Sequence, residues 1–176
     1  MDPKEAAARA RAVKLLGFDV DGVLTDGTLY LTDGGEEIKG FNTLDGLGMK
    51  LLQDAGVELA IITGRESRLV ALRAQNLGIR RLHQGVENKL EVFDALRREL
   101  GLEFAECGYM GDDLPDLPVL SRCGFAATVP QAPEAVRTRA HYVSTRPAGQ
   151  GAVREVCEFI LQAQGRLDAA IARFLV

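Results

Sequence analysis

The sequence predicts an α/β fold, a parallel sheet with helices packed on both faces. Three observations carry that prediction. Short apolar runs of strand length alternate from end to end with longer segments whose apolar residues recur at helical spacing. Three of the strand-like runs stop at chemistry-bearing residues: Asp19-Val20-Asp21-Gly22, Thr63-Gly64-Arg65 and Gly111-Asp112-Asp113. No internal repeat or low-complexity linker interrupts the alternation, so residues 1–176 read as one domain.

Asp2-Pro3 ahead of Lys4–Arg11 reads as a capped short helix. Val13-Lys14-Leu15-Leu16-Gly17-Phe18 is the first core strand, at about 14–19. Residues 28–40 hold Thr28-Leu29-Tyr30-Leu31, the turn Thr32-Asp33-Gly34-Gly35 and a return run through Ile38, a β-hairpin inserted straight after the acidic stretch. Thr43 is expected to cap a helix that runs to about Ala55 and stops at Gly56. Val57–Ile62 is the second core strand. Helices follow at about 66–77 and 87–100, the latter with Leu90, Phe93, Leu96 and Leu100 on one face. Short strands are expected at 80–83, 106–110 and 124–128, and a helix at 152–163 with the stripe Val153, Val156, Cys157, Ile160 and Leu161. Residues 165–176 form an extended or helical tail. The sum is a three-layer, Rossmann-like parallel sheet with an inserted hairpin, whose ligands bind at the carboxyl ends of the strands.

Composition narrows the function classes. The chain is 47% apolar and 26% charged, with net charge -4 and no polybasic stripe, which argues against nucleic-acid binding. No apolar run reaches the roughly 18 residues of a membrane span, and Met1–Arg11 lacks the apolar centre of a signal peptide. Cys107, Cys123 and Cys157 are odd in number and form no C-x-x-C pair, so they read as small core residues of a reduced, cytoplasmic protein. His83 and His141 lack metal-like spacing and read as structural.

The strand ends supply a set for phosphoryl transfer. Two carboxylates gathered at one strand end call for a hard cation, and Gly22 lets the turn bend between them. Asp19 is placed to attack phosphorus as a carboxylate nucleophile, giving an aspartyl-phosphate. Mg²⁺ held by Asp19 and Asp112 would offset the repulsion between that nucleophile and a phosphate dianion. The Thr63 hydroxyl and nearby amides bind the transferring oxygens. Lys89, near the start of a helix, adds a fixed positive charge. Asp21 protonates the leaving alkoxide and then activates the water that cleaves the acyl phosphate. Each motif alone is weak, but their order on an alternating scaffold is specific.

With Asp19, Asp21, Thr63, Lys89 and Asp112 in that order, the chain resembles the haloacid dehalogenase superfamily of aspartate-nucleophile phosphatases. The resemblance implies that the Asp21 main-chain carbonyl joins Asp19 and Asp112 on Mg²⁺. It also implies that Asp113 and Asp116 support the site, with Lys89 positioned by them. The stretches DVDGVLTDG, KGFNTLDGLGMKLL, IITGRESRLV, LHQGVENKL, YMGDDLPDLPVL, GAVREVCEFIL and AQGRLDAA narrow it to the phosphatases of 3-deoxy-D-manno-octulosonate (Kdo) 8-phosphate. That family implies Mg²⁺-dependent, capless homotetramers that release Kdo for lipopolysaccharide synthesis and whose tails help cover a neighbour's site.

The intervals agree with a capless enzyme. Asp21 to Thr63 holds a hairpin and one helix, and Thr63 to Lys89 one helix and one strand, with no room for a cap domain. A neighbouring subunit is expected to close the site, with the hairpin as contact element, because Leu29, Leu31, Ile38 and Phe41 cannot all be buried in one small sheet. Arg65 is expected to hold the substrate's carboxylate or hydroxyls, where the related branch acting on nine-carbon ulosonate phosphates tends to carry glutamate. Thr25, Gly64 and Arg73 are further substrate-binding candidates, Arg73 facing a neighbour's site; Ser67 is a weaker one. A receiver-like phospho-acceptor domain is the alternative outside enzymes, but its acceptor aspartate would end the strand that here ends in Thr63. One departure stands out. Pro147-Ala148-Gly149-Gln150-Gly151 has Ala148 in a loop where the family often has two glycines, and an alanine restricts that backbone.

Overall fold

The computed structural model describes residues 3–175. Asp2, expected to cap the first helix, lies outside them. In chain order the elements begin with α1 (Pro3–Arg11), β1 (Leu15–Phe18), β2 (Tyr30–Leu31), β3 (Glu37–Ile38), α2 (Thr43–Asp54), β4 (Glu58–Ile62) and α3 (Arg68–Leu77). They continue with β5 (Arg81–His83), α4 (Lys89–Glu99), β6 (Cys107–Met110), α5 (Leu117–Leu120), β7 (Phe125–Thr128), α6 (Glu134–Arg137), β8 (Tyr142–Val143), α7 (Ala152–Ala163) and α8 (Leu167–Ala172). Single 3₁₀ turns at Phe104–Glu106 and Leu114–Asp116 precede β6 and α5.

Six strands form one sheet in the order β5-β4-β1-β6-β7-β8, every pair parallel, and β2 and β3 form the separate antiparallel hairpin. β1 lies at the centre, where the order reverses: β4 follows it on one side and β6 on the other. Such a switch point opens a crevice beyond the carboxyl ends of the central strands.

Alternation along the strands divides the helices between the two faces. Tyr109 of β6 meets Phe93 of α4 edge to face at 5.6 Å. Phe125 of β7 pairs with Gly108, one residue out of phase with Tyr109, and stacks on Phe159 of α7 at 5.9 Å. α4 and α7 therefore cover opposite faces, and α1 and α2 pack with α7. The predicted α7 stripe is buried throughout, and Phe93 and Leu96 of α4 are buried with Leu90 and Leu100 packed against them. Fully burying each such side chain contributes about 1.5–3 kcal/mol. Gly17 of β1 serves this packing directly: a Cβ there would stand 2.7 Å from the Tyr109 ring.

Several sequence expectations are corrected. Asn42, not Thr43, caps α2, its side-chain oxygen accepting the Leu44 amide. The sheet gains a sixth, edge strand, β8, where the sequence showed no strand signal. Within the tail, Leu167–Ala172 form α8, the helical one of the two expected forms. Ala148 imposes no strain, because the left-handed positions of its loop fall on Gly149 (φ 63°) and Gly151 (φ 103°). That loop is clamped on both sides. The Gly149 amide donates to the Val23 carbonyl, and buried Asp45 of α2 accepts the amides of Gly151 and Arg154, capping α7 from another helix. Leu29, Leu31 and Ile38 are exposed on the hairpin as expected, whereas Phe41 packs against the core.

Candidate active site

Phe18, Ile61 and Met110 stand side by side in the register of β4, β1 and β6. The residues that follow each of them therefore reach the same edge. There they line a crevice of about 480 Å³ with Asp19, Asp21, Thr63, Gly64, Arg65, Val86, Glu87, Lys89, Asp112, Asp113, Pro115 and Asp116.

The turn after β1 is wound around one carbonyl: the amides of Val23, Leu24 and Thr25 all donate to Val20. Its Gly22 has φ 91°, and a Cβ there would stand 2.1 Å from an Asp112 carboxylate oxygen. Only glycine satisfies both the backbone and the space. Thr63 ends β4 with its amide donating to His83 and its carbonyl accepting from Val86. Its hydroxyl oxygen accepts the Arg65 amide at 3.3 Å, which leaves the O–H proton for an acceptor in the crevice. Lys89 is the first residue of α4, which Asn88 caps by accepting the Glu91 amide.

Asp116 organises the interior. It is fully buried, and each of its oxygens serves two donors. Oδ1 accepts from Lys89 Nζ at 2.7 Å and Tyr109 Oη at 3.1 Å. Oδ2 accepts the amides of Asp112 at 3.0 Å and Asp113 at 3.1 Å. Asp113 in turn accepts the Leu114 amide, so the two carboxylates close the 3₁₀ turn reciprocally. Gly111 is required beneath them, since a Cβ there would stand 2.4 Å from the Asp116 carboxyl carbon. Lys89 also meets Asp19 at 2.8 Å and so bridges the two acids.

Asp19, Asp112 and Asp116 each bring an oxygen within 4.8 Å of the others. Among the described residues, one ammonium, that of Lys89, faces this cluster. Burial, and then the Asp116 charge, push Asp19 up to about 6 against the pull of Lys89. Burial, and then the charges of Asp19, Asp116 and Asp113, push Asp112 up to about 8. Burial disfavours the Lys89 cation, but Asp19 and Asp116 outweigh it and hold that group above its usual value. The excess negative charge calls for a further cation. Asp116 has no oxygen to spare for it. Asp112 has: its Oδ1 is buried with no hydrogen-bond partner. Asp19 and Asp112 thus form an all-oxygen donor pair that fits a hard divalent ion such as Mg²⁺.

Thr25 does not line this crevice, and neither does Arg73, which was expected to face a neighbour's site. Thr25 is buried within the turn, its hydroxyl donating weakly to Val20 and accepting the Gly27 amide. Arg73 is engaged by its own chain: it donates to the Asn42 carbonyl at 3.0 Å and lies over the Phe41 ring, in space left by Gly46. Ser67 precedes α3 with no side-chain cap, its amide donating to Gln84. His141 accepts the Ala126 amide, and the three cysteines are free and buried.

Residues that sequence reasoning missed come from the hairpin. Lys39 forms an ion pair with Asp21 and a second, at 3.2 Å, with Glu37. Glu37 accepts from Arg65 at 2.8 Å. The available signal was spacing: Glu37 and Lys39 are two apart in the hairpin's return run, the period of one strand face.

No model of a known protein family matches the chain. Among curated proteins, 3-deoxy-D-manno-octulosonate 8-phosphate phosphatase KdsC of Escherichia coli K12 is 45% identical over 166 residues, which is 94% of this chain and 88% of that relative. Two solved structures are similar over nearly the whole chain. A probable YrbI family phosphatase from Pseudomonas syringae is 51% identical with a TM-score of 0.96, covering 98% of both chains. The 3-deoxy-D-manno-octulosonate 8-phosphate phosphatase of Moraxella catarrhalis, in complex with magnesium ion, phosphate ion and Kdo, is 46% identical with a TM-score of 0.95, covering 97% of this chain and 98% of that one.

Proposed function

We propose, for a chain that belongs to the 3-deoxy-D-manno-octulosonate 8-phosphate phosphatase family of the haloacid dehalogenase superfamily, that this crevice hydrolyses Kdo 8-phosphate to Kdo and inorganic phosphate. The observation that carries the reading is the placement of Asp19. Its carboxylate sits 2.8 Å from Lys89, beside an Asp112 oxygen that no group among the described residues satisfies. That is a nucleophile with a fixed cation on one side and a metal position on the other.

The residues divide the work as follows. An Asp19 oxygen attacks phosphorus, and the bond from phosphorus to the sugar oxygen breaks. Asp21 delivers a proton to the departing alkoxide, which is too basic to leave unprotonated. Water then attacks phosphorus of the aspartyl-phosphate while Asp21 takes its proton, releasing phosphate and restoring Asp19. The Thr63 hydroxyl and the amides after β4 hold the equatorial oxygens, and Lys89 neutralises charge at the nucleophile. Mg²⁺, held by Asp19, Asp112 and the Asp21 main-chain carbonyl, would offset the charge of the phosphate dianion. Asp113 and Asp116 keep these groups in place. Arg65 and Gly64 face the part of the crevice that the sugar enters.

The exposed hairpin residues Leu29, Leu31 and Ile38 support a homotetramer in which a neighbouring subunit covers the crevice, with Arg73 and the tail near that interface. No helix among the described residues is long and apolar enough to cross a membrane. Three free, buried thiols suit a reducing cytoplasm, where Kdo release feeds lipopolysaccharide synthesis. A phosphate-release assay over a panel of sugar phosphates, with and without Mg²⁺, tests the reading. Kdo 8-phosphate is expected to give the highest kcat/KM, and only with the metal. A tenfold preference for a nine-carbon ulosonate phosphate would overturn the substrate.

A further inference from the structure

Lysines on exposed hairpins normally extend into solvent. Lys39 does the opposite: its side chain is 3% exposed, folded back so that the ammonium lies between Asp21 and Glu37. A buried ammonium persists only when it is paired, and here both partners lead to the crevice. Glu37 also holds Arg65, at the end of the Thr63 turn. The result is a chain of alternating charge, Asp21–Lys39–Glu37–Arg65, that ties the hairpin to the β1 turn and to the β4 turn. The hairpin is thereby two-sided. Glu37 and Lys39 face inward, and Ile38 between them is exposed.

The contact to Asp21 is specific to one oxygen. Lys39 bonds Oδ1, and among the described residues no protein group bonds Oδ2. A carboxylate pinned at one oxygen has its rotamer set and its other oxygen directed, which is the geometry that proton transfer to a leaving group needs.

We propose that Lys39 is a positioning residue for the reaction: it fixes Asp21 through Oδ1 so that Oδ2 meets the leaving oxygen, and Glu37 holds Lys39 and Arg65 in line. This rests on Asp21 acting as the general acid. It makes the hairpin part of the reaction apparatus as well as a contact element, and it predicts an effect that depends on how badly the leaving group needs a proton.

The test compares kcat/KM, which reports the steps up to phosphoryl transfer, for two substrates in the full-length, Mg²⁺-loaded protein. One is a sugar (alkyl) phosphate, whose alkoxide requires the acid. The other is p-nitrophenyl phosphate, whose phenolate leaves without it. Lys39→Met is expected to lower kcat/KM on the alkyl ester by about tenfold or more and on the aryl ester by no more than about threefold. Lys39→Arg should restore most of the loss. Glu37→Gln, which leaves the Lys39–Asp21 contact in place, should give a smaller loss with the same leaving-group dependence, and it carries the test if Lys39→Met does not fold. Equal losses on the two substrates, or no loss on either, would overturn the proposal. A wild-type protein inactive on Kdo 8-phosphate but active on the aryl ester would instead refute the substrate assignment and leave this ratio readable on another alkyl phosphate.

Discussion

Asp116→Asn isolates the group that organises the site without changing its shape. In the wild type four donors converge on one buried carboxylate: Lys89 and Tyr109 on Oδ1, and the amides of Asp112 and Asp113 on Oδ2. An asparagine has one oxygen and one NH₂. Whichever way it lies, one of these pairs of donors faces another donor. An unsatisfied buried group costs about 1–3 kcal/mol, so two cost about 2–6 kcal/mol. Relief of the repulsion that Asp116 exerts on Asp19 and Asp112 offsets part of this. A net loss of about 3 kcal/mol is expected, which for a chain of this size lowers Tm by about 6–12 °C. Lys89, left with Asp19 as its only carboxylate, loses its fixed position, and kcat should fall by about two orders of magnitude. Thermal unfolding followed by circular dichroism, at matched protein concentration, and phosphate release measure the two effects. A variant within about 2 °C of wild type and of undiminished kcat would refute the assignment of Asp116 as organiser.

Gly22→Ala places a methyl against the Asp112 carboxylate at a backbone conformation that L residues avoid. It should lower stability by about 1–3 kcal/mol and weaken Mg²⁺ binding by about tenfold or more, read by calorimetric titration. The raised carboxylates give a pH dependence of definite sign. Asp19 near 6 and Asp112 near 8 both lie above the ordinary 3.8, so the metal-free folded state keeps protons that the unfolded chain has lost. The contribution of these groups to stability therefore falls as pH rises from about 4 through 8. Mg²⁺ must displace the same protons, so its affinity should rise between pH 6 and 8, with about one proton released per ion at pH 7. Titrations in buffers of different ionisation enthalpy measure that release, and none would contradict the reading.

The parts of the fold that positioned chemistry were legible because strand and function coincide in the sequence. Apolar runs ending in Asp19, Thr63 and Asp112 mark both a buried parallel strand and its carboxyl end, and the switch-point topology then brings the three together. β8 was not legible: Tyr142–Val143 is an edge strand of two residues, too short for any periodicity. The α2 cap was misplaced by one residue because Asn42 and Thr43 are both good caps and only the bond to Leu44 separates them. The hold of its own chain on Arg73 was not legible, because helical spacing alone cannot show that Gly46 opens a space for the guanidinium. Lys39 and Glu37 went unread: their spacing marks a shared face of the return run, but spacing alone does not show that this face turns back onto Asp21.

The central claim is that Asp19 becomes covalently phosphorylated and is then released by water. Rapid acid quench of the Mg²⁺-loaded protein turning over a ³²P-labelled sugar phosphate tests it most directly, with Asp19→Asn run in parallel. Label is expected on the peptide that bears Asp19 in the wild type, with neither label nor phosphate release in the variant. Phosphate release by Asp19→Asn at the wild-type rate would contradict the account.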